Sequence, residues 1–353
     1  MAGVAAQTAA PLAAQAPSRS DTTDLPRTVA PERTPRSALP ARWMVVAPDG
    51  ALAWFGLMAD LRLPGAGAFP LVDVGDRAIA PAERDLADAL ARTRASEILH
   101  FAPLYHPSAD RAALAAALRG AARTPALAPT PRAELLVGAL SRSLLGELRS
   151  ARLTELALAL ERRPPVVPPA PARIALLQRE LDSLYLPALA PWLALERLDA
   201  GRLIVARGIG TEGRIFAATQ DRSDNQVAVG NFASDADALA PLLAFVRELC
   251  FPSVTRASEG VADFNASNAD GARRASLAAV RCGAALLDAR LPARSDAYRA
   301  FWLRRAALTT RSAQSDERAG TATLRADFDR TFPADPAIAG AVDRAIARIR
   351  AVP

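Results

Sequence analysis

Three short runs, Arg202-Leu-Ile-Val-Ala206, Arg214-Ile-Phe-Ala-Ala218 and Gln226-Val-Ala-Val229, follow one another closely in the middle of the chain. They are apolar and rich in β-branched residues, and turn-forming glycines and the polar stretch Asp221 to Asn225 separate them. Runs of this length between turn signals read as strands. They predict a small antiparallel sheet. One further run, Trp43-Met-Val-Val-Ala47, reads as a short strand ending at the turn Pro48-Asp49-Gly50.

Outward from this centre the spacing of apolar residues becomes helical. An apolar segment over 51–63 is followed by a helix over 81–94, opened by Pro81 with Glu83 in its first turn. Ser108 caps a helix that stops before Gly120, and helices fit 131–149 and 151–162. Pro164-Pro-Val-Val-Pro-Pro169 then breaks the chain, as a rigid extended connection within one domain or as a boundary between two. A helix over 172–184 precedes a piece that Pro187 and Pro191 should interrupt. After the strands, Ser234-Asp-Ala-Asp237 caps a long apolar helix through Leu249, and helices follow at 272–289, 295–308, 323–330 and 336–350. The expected class is α+β, mostly α: a helical domain with one small antiparallel sheet before a long apolar helix.

The 353 residues are 51% hydrophobic and 23% charged, the balance of an ordinary globular chain. No uninterrupted apolar stretch is long enough to cross a membrane. All 43 basic residues are arginine, so a Schiff-base lysine, a pyridoxal phosphate anchor and a phosphate-loop lysine are excluded. The two histidines, His100 and His106, cannot supply a three-histidine metal site. The net charge of +6 raises the question of nucleic acid. Yet the arginines are scattered singly or in pairs among 37 acidic residues and only 5% of residues are aromatic, so no nucleic-acid partner is expected.

Residues 2–16 are small and uncharged, and resemble the end of a secretory signal peptide that lacks its basic start. The alternative is a low-complexity cytosolic tail. The expected division is a tail over 1–41 and one domain over 42–353, with a helical part over 42–163 and a sheet and long-helix part over 172–353.

Gly208, Gly210 and Gly213 spell GxGxxG, but a strand follows them where a dinucleotide site needs a helix, so they read as a hairpin turn. His100 and His106 stand six apart across Pro103, too far for one helix face, and read as loop or partly buried residues.

The long helix ends Phe245-Val-Arg-Glu-Leu-Cys-Phe-Pro-Ser-Val254. Placed after a small sheet, this stretch resembles the active-site helix of the zincin metallopeptidases over roughly residues 172–290. In that superfamily HExxH sets two histidines one turn apart to hold zinc, with a glutamate between them that polarises the bound water. The resemblance assigns Glu248 to that glutamate and puts Arg247 and Phe251 where the histidines belong. Neither can ligate zinc, so it implies a degenerate site with no metal and no cofactor. Glu259-Gly-Val-Ala-Asp263 has the Glu-x-x-x-Asp shape of one zincin branch, which makes Glu259 and Asp263 candidate acidic partners.

Within this layout the two cysteines acquire a meaning. Cys250 lies in the degenerate motif and Cys282 on the following helix, so a disulfide could tie together helices that zinc ties in a zincin. The alternative is two unpaired buried thiols.

The expected function is an exported zincin-like protein without zinc or peptidase activity, a binding or structural module for a peptide or protein. An active hydrolase using Glu248 with Glu259 or Asp263, or the two histidines, is the alternative, and an arginine-rich nucleic-acid binder is third. The export reading predicts that N-terminal sequencing of protein from its native cell returns a start just after Ala14 or Ala16. An intact Met1 would reject it.

Overall fold

In the computed structural model the described residues are 41–63, 67–72, 79–92, 98–105, 110–123, 146–218, 223–232, 238–259, 261, 269–310 and 321–350. They all fall within one unit, Pro40–Pro353. The strands are β1 (Arg42–Val46), β2 (Ala200–Ala206), β3 (Arg214–Phe216) and β4 (Asn225–Gly230). Between β1 and β2 lie α1 (Asp49–Leu61), α2 (Pro81–Ala91), α3 (Ala102–Tyr105), α4 (Arg111–Arg123), α5 (Gly146–Arg162), α6 (Pro171–Glu180) and α7 (Leu186–Glu196). After β4 come α8 (Ala240–Ser258), α9 (Ala269–Arg290), α10 (Ser295–Thr310), α11 (Thr321–Thr331) and α12 (Ala339–Arg350). The protein is α+β and mostly helical, as the sequence indicates.

The sheet is mixed, which corrects the antiparallel expectation. Its order is β1-β2-β4-β3, with β1 and β4 both parallel to β2 and only β3 antiparallel, to β4. The reason lies between β2 and β3. Gly210 and Glu212 donate their backbone N–H groups to the carbonyls of Leu71 and Pro70, and Ile209 bridges Val72. That segment is held by residues 70–72 instead of folding back on β2, and the chain is carried to the far edge of β4.

Strand periodicity divides the core into two layers, because alternate side chains leave opposite faces of a sheet. Trp43, Val45, Leu203, Val205, Val227 and Val229 pack with the helices from α6 onward. Ile204, Ala206 and Ala228 pack with α1, α2, α4 and α5. The polyproline stretch over 164–170 has no regular structure and joins the two sets of helices.

Two helical expectations are corrected. Pro187 and Pro191 do not interrupt the chain: α6 continues through a π-helical turn, Leu181–Tyr185, into α7. There Leu186 donates its N–H to the carbonyl of Leu181, a wider turn that absorbs the donor missing at Pro187. The helix expected to stop before Gly120 runs on to Arg123. The Ser108 cap, the Ser234 to Asp237 cap and most of the helix expected over 131–149 lie outside the described residues.

The long apolar helix, α8, is buried at every position from Ala240 to Cys250. A helix apolar on all sides belongs in the middle of a core. Phe245 meets Trp43 of β1 edge to face at 5.0 Å, which locks α8 to the sheet. Gly201 of β2 admits close strand approach: a Cβ there would stand 2.4 Å from the Asn225 carbonyl oxygen and 2.9 Å from the Trp43 ring. Gly201→Ala is therefore expected to destabilise the protein by about 1–3 kcal/mol, read as an earlier midpoint in urea unfolding. An unchanged midpoint would show that the β1-β2-β4 packing is looser than described.

Candidate functional site

At the β3 edge of the sheet, α8 presents Arg247, Glu248 and, one turn on, Phe251 to a cavity of about 220 Å3. Gly213, Arg214 and Ile215 of the sheet edge, Phe101 from the first helical layer and Ala272 of α9 complete its walls. The motif face thus lines a cavity between the two layers.

Arg247 organises the polar side. Its guanidinium is 1% exposed and donates to Glu248, to Glu212 and, at 2.9 Å, to the Ser276 hydroxyl on α9. The guanidinium carbon also sits 5.1 Å from the centre of the Phe251 ring, a cation–π contact at helical i,i+4 spacing. Glu248 accepts in addition the backbone N–H of Gly213 at 3.1 Å. That approach needs glycine: a Cβ at position 213 would lie 2.8 Å from both the Glu248 Cγ and the Ala228 carbonyl oxygen.

Burial penalises ionisation throughout. It pushes the Glu248 carboxyl above the usual range, against the pull of Arg247. For Arg247 burial acts downward, but Glu248 and Glu212 outweigh it and the guanidinium is held charged more firmly than usual. Arg214, fully buried, is drawn down to about 10 by desolvation, with Glu212 and Glu248 opposing. Its hydrogen bonds go to neutral acceptors: the carbonyls of Glu212 at 3.0 Å and Leu71 at 2.5 Å, and the Nδ1 atom of His100 at 3.1 Å. Arginine only donates, so Nδ1 is the acceptor in that contact.

The expected site residues are placed as follows. Glu248, Arg247 and Phe251 share one cavity. Glu259 is the exposed C-terminal cap of α8, some 16 Å along the helix from Glu248. Asp263 and His106 lie outside the described residues. His100 is buried and belongs to the Arg214 cluster. The GxGxxG stretch is a turn leading into β3, with Gly208 at φ +87°. Cys250 on α8 and Cys282 on α9 are buried free thiols in the same core. Glu212 and Arg214 were missed as site residues. The signal was an acid and a base flanking Gly213 in a glycine turn next to a strand, the kind of sheet-edge position that can meet a motif helix.

Zinc does not fit these residues. Arginine and phenylalanine offer no lone pair, and both carboxylates facing them are engaged by the guanidinium. Comparison of this chain with known protein families, with curated proteins and with solved structures finds no match.

Arg247 compensates two buried carboxylates, so Arg247→Met is expected to cost about 3–5 kcal/mol at neutral pH. With the guanidinium gone, the remaining influence of burial raises the Glu248 pKa further above its unfolded value. The deficit is then largest at high pH and shrinks as pH falls through the folded-state pKa. Urea unfolding at about pH 8 and about pH 5 checks this, and a deficit that widens in acid would contradict it.

Proposed function

We propose that the chain is an exported, zincin-like protein that has lost zinc and peptidase activity and acts as a binding or structural module for a peptide or protein. The observation that carries this reading is the position of Arg247. Its guanidinium, on the motif face that lines the cavity, sits where a metal ligand would be and holds Glu248, Glu212 and Ser276 around one positive charge. A glutamate engaged in this way is not free to polarise water. The layout of small sheet, motif helix and following helix supports the superfamily resemblance. What remains is a recess with apolar walls at Phe101, Ile215 and Phe251 and a charged floor, suited to an extended segment that carries an apolar side chain.

One observation favours the hydrolase alternative: Glu248 has a raised pKa beside a cavity, as general acids do. Two measurements separate the readings. Untagged protein is expected to contain no stoichiometric zinc and to show no peptidase or esterase activity that Glu248→Ala abolishes. Activity lost in that variant would reject the non-catalytic reading. The superfamily reading has its own test. Arg247→His combined with Phe251→His restores HExxH on a face that already lines a cavity, and this double variant is expected to gain zinc at measurable stoichiometry by elemental analysis. A folded double variant, by circular dichroism, that takes up no zinc would remove the support for a zincin origin.

A further inference from the structure

The recess at the β3 edge has a buried charged floor, with Arg214, Arg247, Glu212 and Glu248, and a half-buried apolar rim, with Phe101, Ile215, Phe251 and Ala272. Both carboxylates pair with Arg247. Among the described residues no carboxylate stands within ion-pair distance of Arg214, although it is 1% exposed. Its guanidinium is held instead by the carbonyls of Glu212 and Leu71, by the His100 Nδ1 atom and by the face of Phe55, 5.4 Å from ring centre to guanidinium carbon. Those three hydrogen bonds use three of an arginine's roughly five N–H donors. The Nε donors of Arg214 and of Arg247 have no acceptor. A cation taken out of water loses hydration that neutral dipoles replace less well than a carboxylate does, so a buried arginine of this kind, beside a cavity, calls for an anion.

We propose that Arg214 recognises a carboxylate in the recess: the terminal carboxylate of a peptide segment whose last side chain is apolar. This names the ligand class of the binding module proposed above and rests on that reading. Charge and apolar walls share one small space, and a C-terminal residue carries its carboxylate and its side chain on the same carbon. An internal acidic residue brings the charge without the apolar group. The volume of about 220 Å3 exceeds the ~150 Å3 of an apolar cavity that admits benzene, which is room for one such residue. The four charged side chains of the floor sum to zero, so the ligand's charge is balanced by a proton on Glu248, whose carboxyl burial already pushes above the usual range. The groups that face Glu248 are Arg247 from its own helix, Glu212 and Arg214 from the sheet edge, and the buried hydroxyl of Tyr298 on α10.

The test titrates the full chain with N-acetyl-leucine and with N-acetyl-leucinamide, which differ only in the terminal charge, and follows binding by ligand-observed NMR. The acid is expected to bind about ten-fold more tightly than the amide, the worth of one charged hydrogen bond. That ratio should fall to about one in Arg214→Gln, and the acid should bind at least as tightly at about pH 6 as at about pH 8. Ala272→Leu, which adds bulk at the rim and touches no charge, is expected to abolish binding of the acid. Equal binding of acid and amide, binding of neither, a ratio retained in folded Arg214→Gln, or acid binding that tightens as pH rises overturns the proposal. The ratio in the unsubstituted chain and the Ala272→Leu variant decide it even where Arg214→Gln fails to fold. Equal binding of both probes leaves the binding module standing without its carboxylate. Activity lost in Glu248→Ala rejects the module alone, because the ratio of acid to amide is measured without turnover.

Discussion

A guanidinium buried to 1% exposure needs its charge answered nearby, and the architecture around Arg247 follows from that requirement. Glu248 comes from the same helix, Glu212 from the turn before β3 and Ser276 from α9. Each is on a different element, so one side chain joins the sheet edge, the motif helix and the helix after it. A tie of this kind is held by mutual compensation: removing the cation strands two carboxylates, and removing either carboxylate weakens the hold on the cation.

The sheet makes that tie geometrically available. One of its two inner strands, β4, is buried along its length between two helical layers, and the short antiparallel β3 brings Gly213 and Arg214 to the rim where both layers end. Gly213 lets backbone stand against the Glu248 side chain, while Arg214 reaches back to His100 in the first layer. The recess beside them exists because two layers meet at a sheet edge without closing over it. Its chemistry is decided by which charges the two layers bring there.

Much of the fold was legible. The strand runs at 202–206, 214–218 and 226–229 correspond to β2, β3 and β4, and the helical spacing after residue 240 corresponds to α8 through α12. Strand pairing was not legible. Alternation says which side chains share a face, but the direction of a neighbour depends on where the connecting chain is captured, and residues 70–72 capture it from far away in sequence. Pro187 misled for a related reason: a helix can widen by one residue and keep its hydrogen bonds, and packing around the buried Tyr185 and Leu181 favours that over a break.

Sequence by itself determined the chemistry this protein excludes and the helix on which its remaining candidate group stands. The absence of lysine, the two histidines, and Arg247 and Phe251 one turn apart around Glu248 are covalent facts that no folding changes. Tertiary structure alone decided that this helix face opens on a cavity and that Glu212 is its second carboxylate. It also decided that Arg214 is answered by a histidine from the other layer, and that two distant cysteines are buried in one core. The physical reason is the range of the interactions. Periodicity and residue chemistry act over a turn or a strand, whereas a buried charge must find its partner anywhere in the chain that packing brings within hydrogen-bond distance.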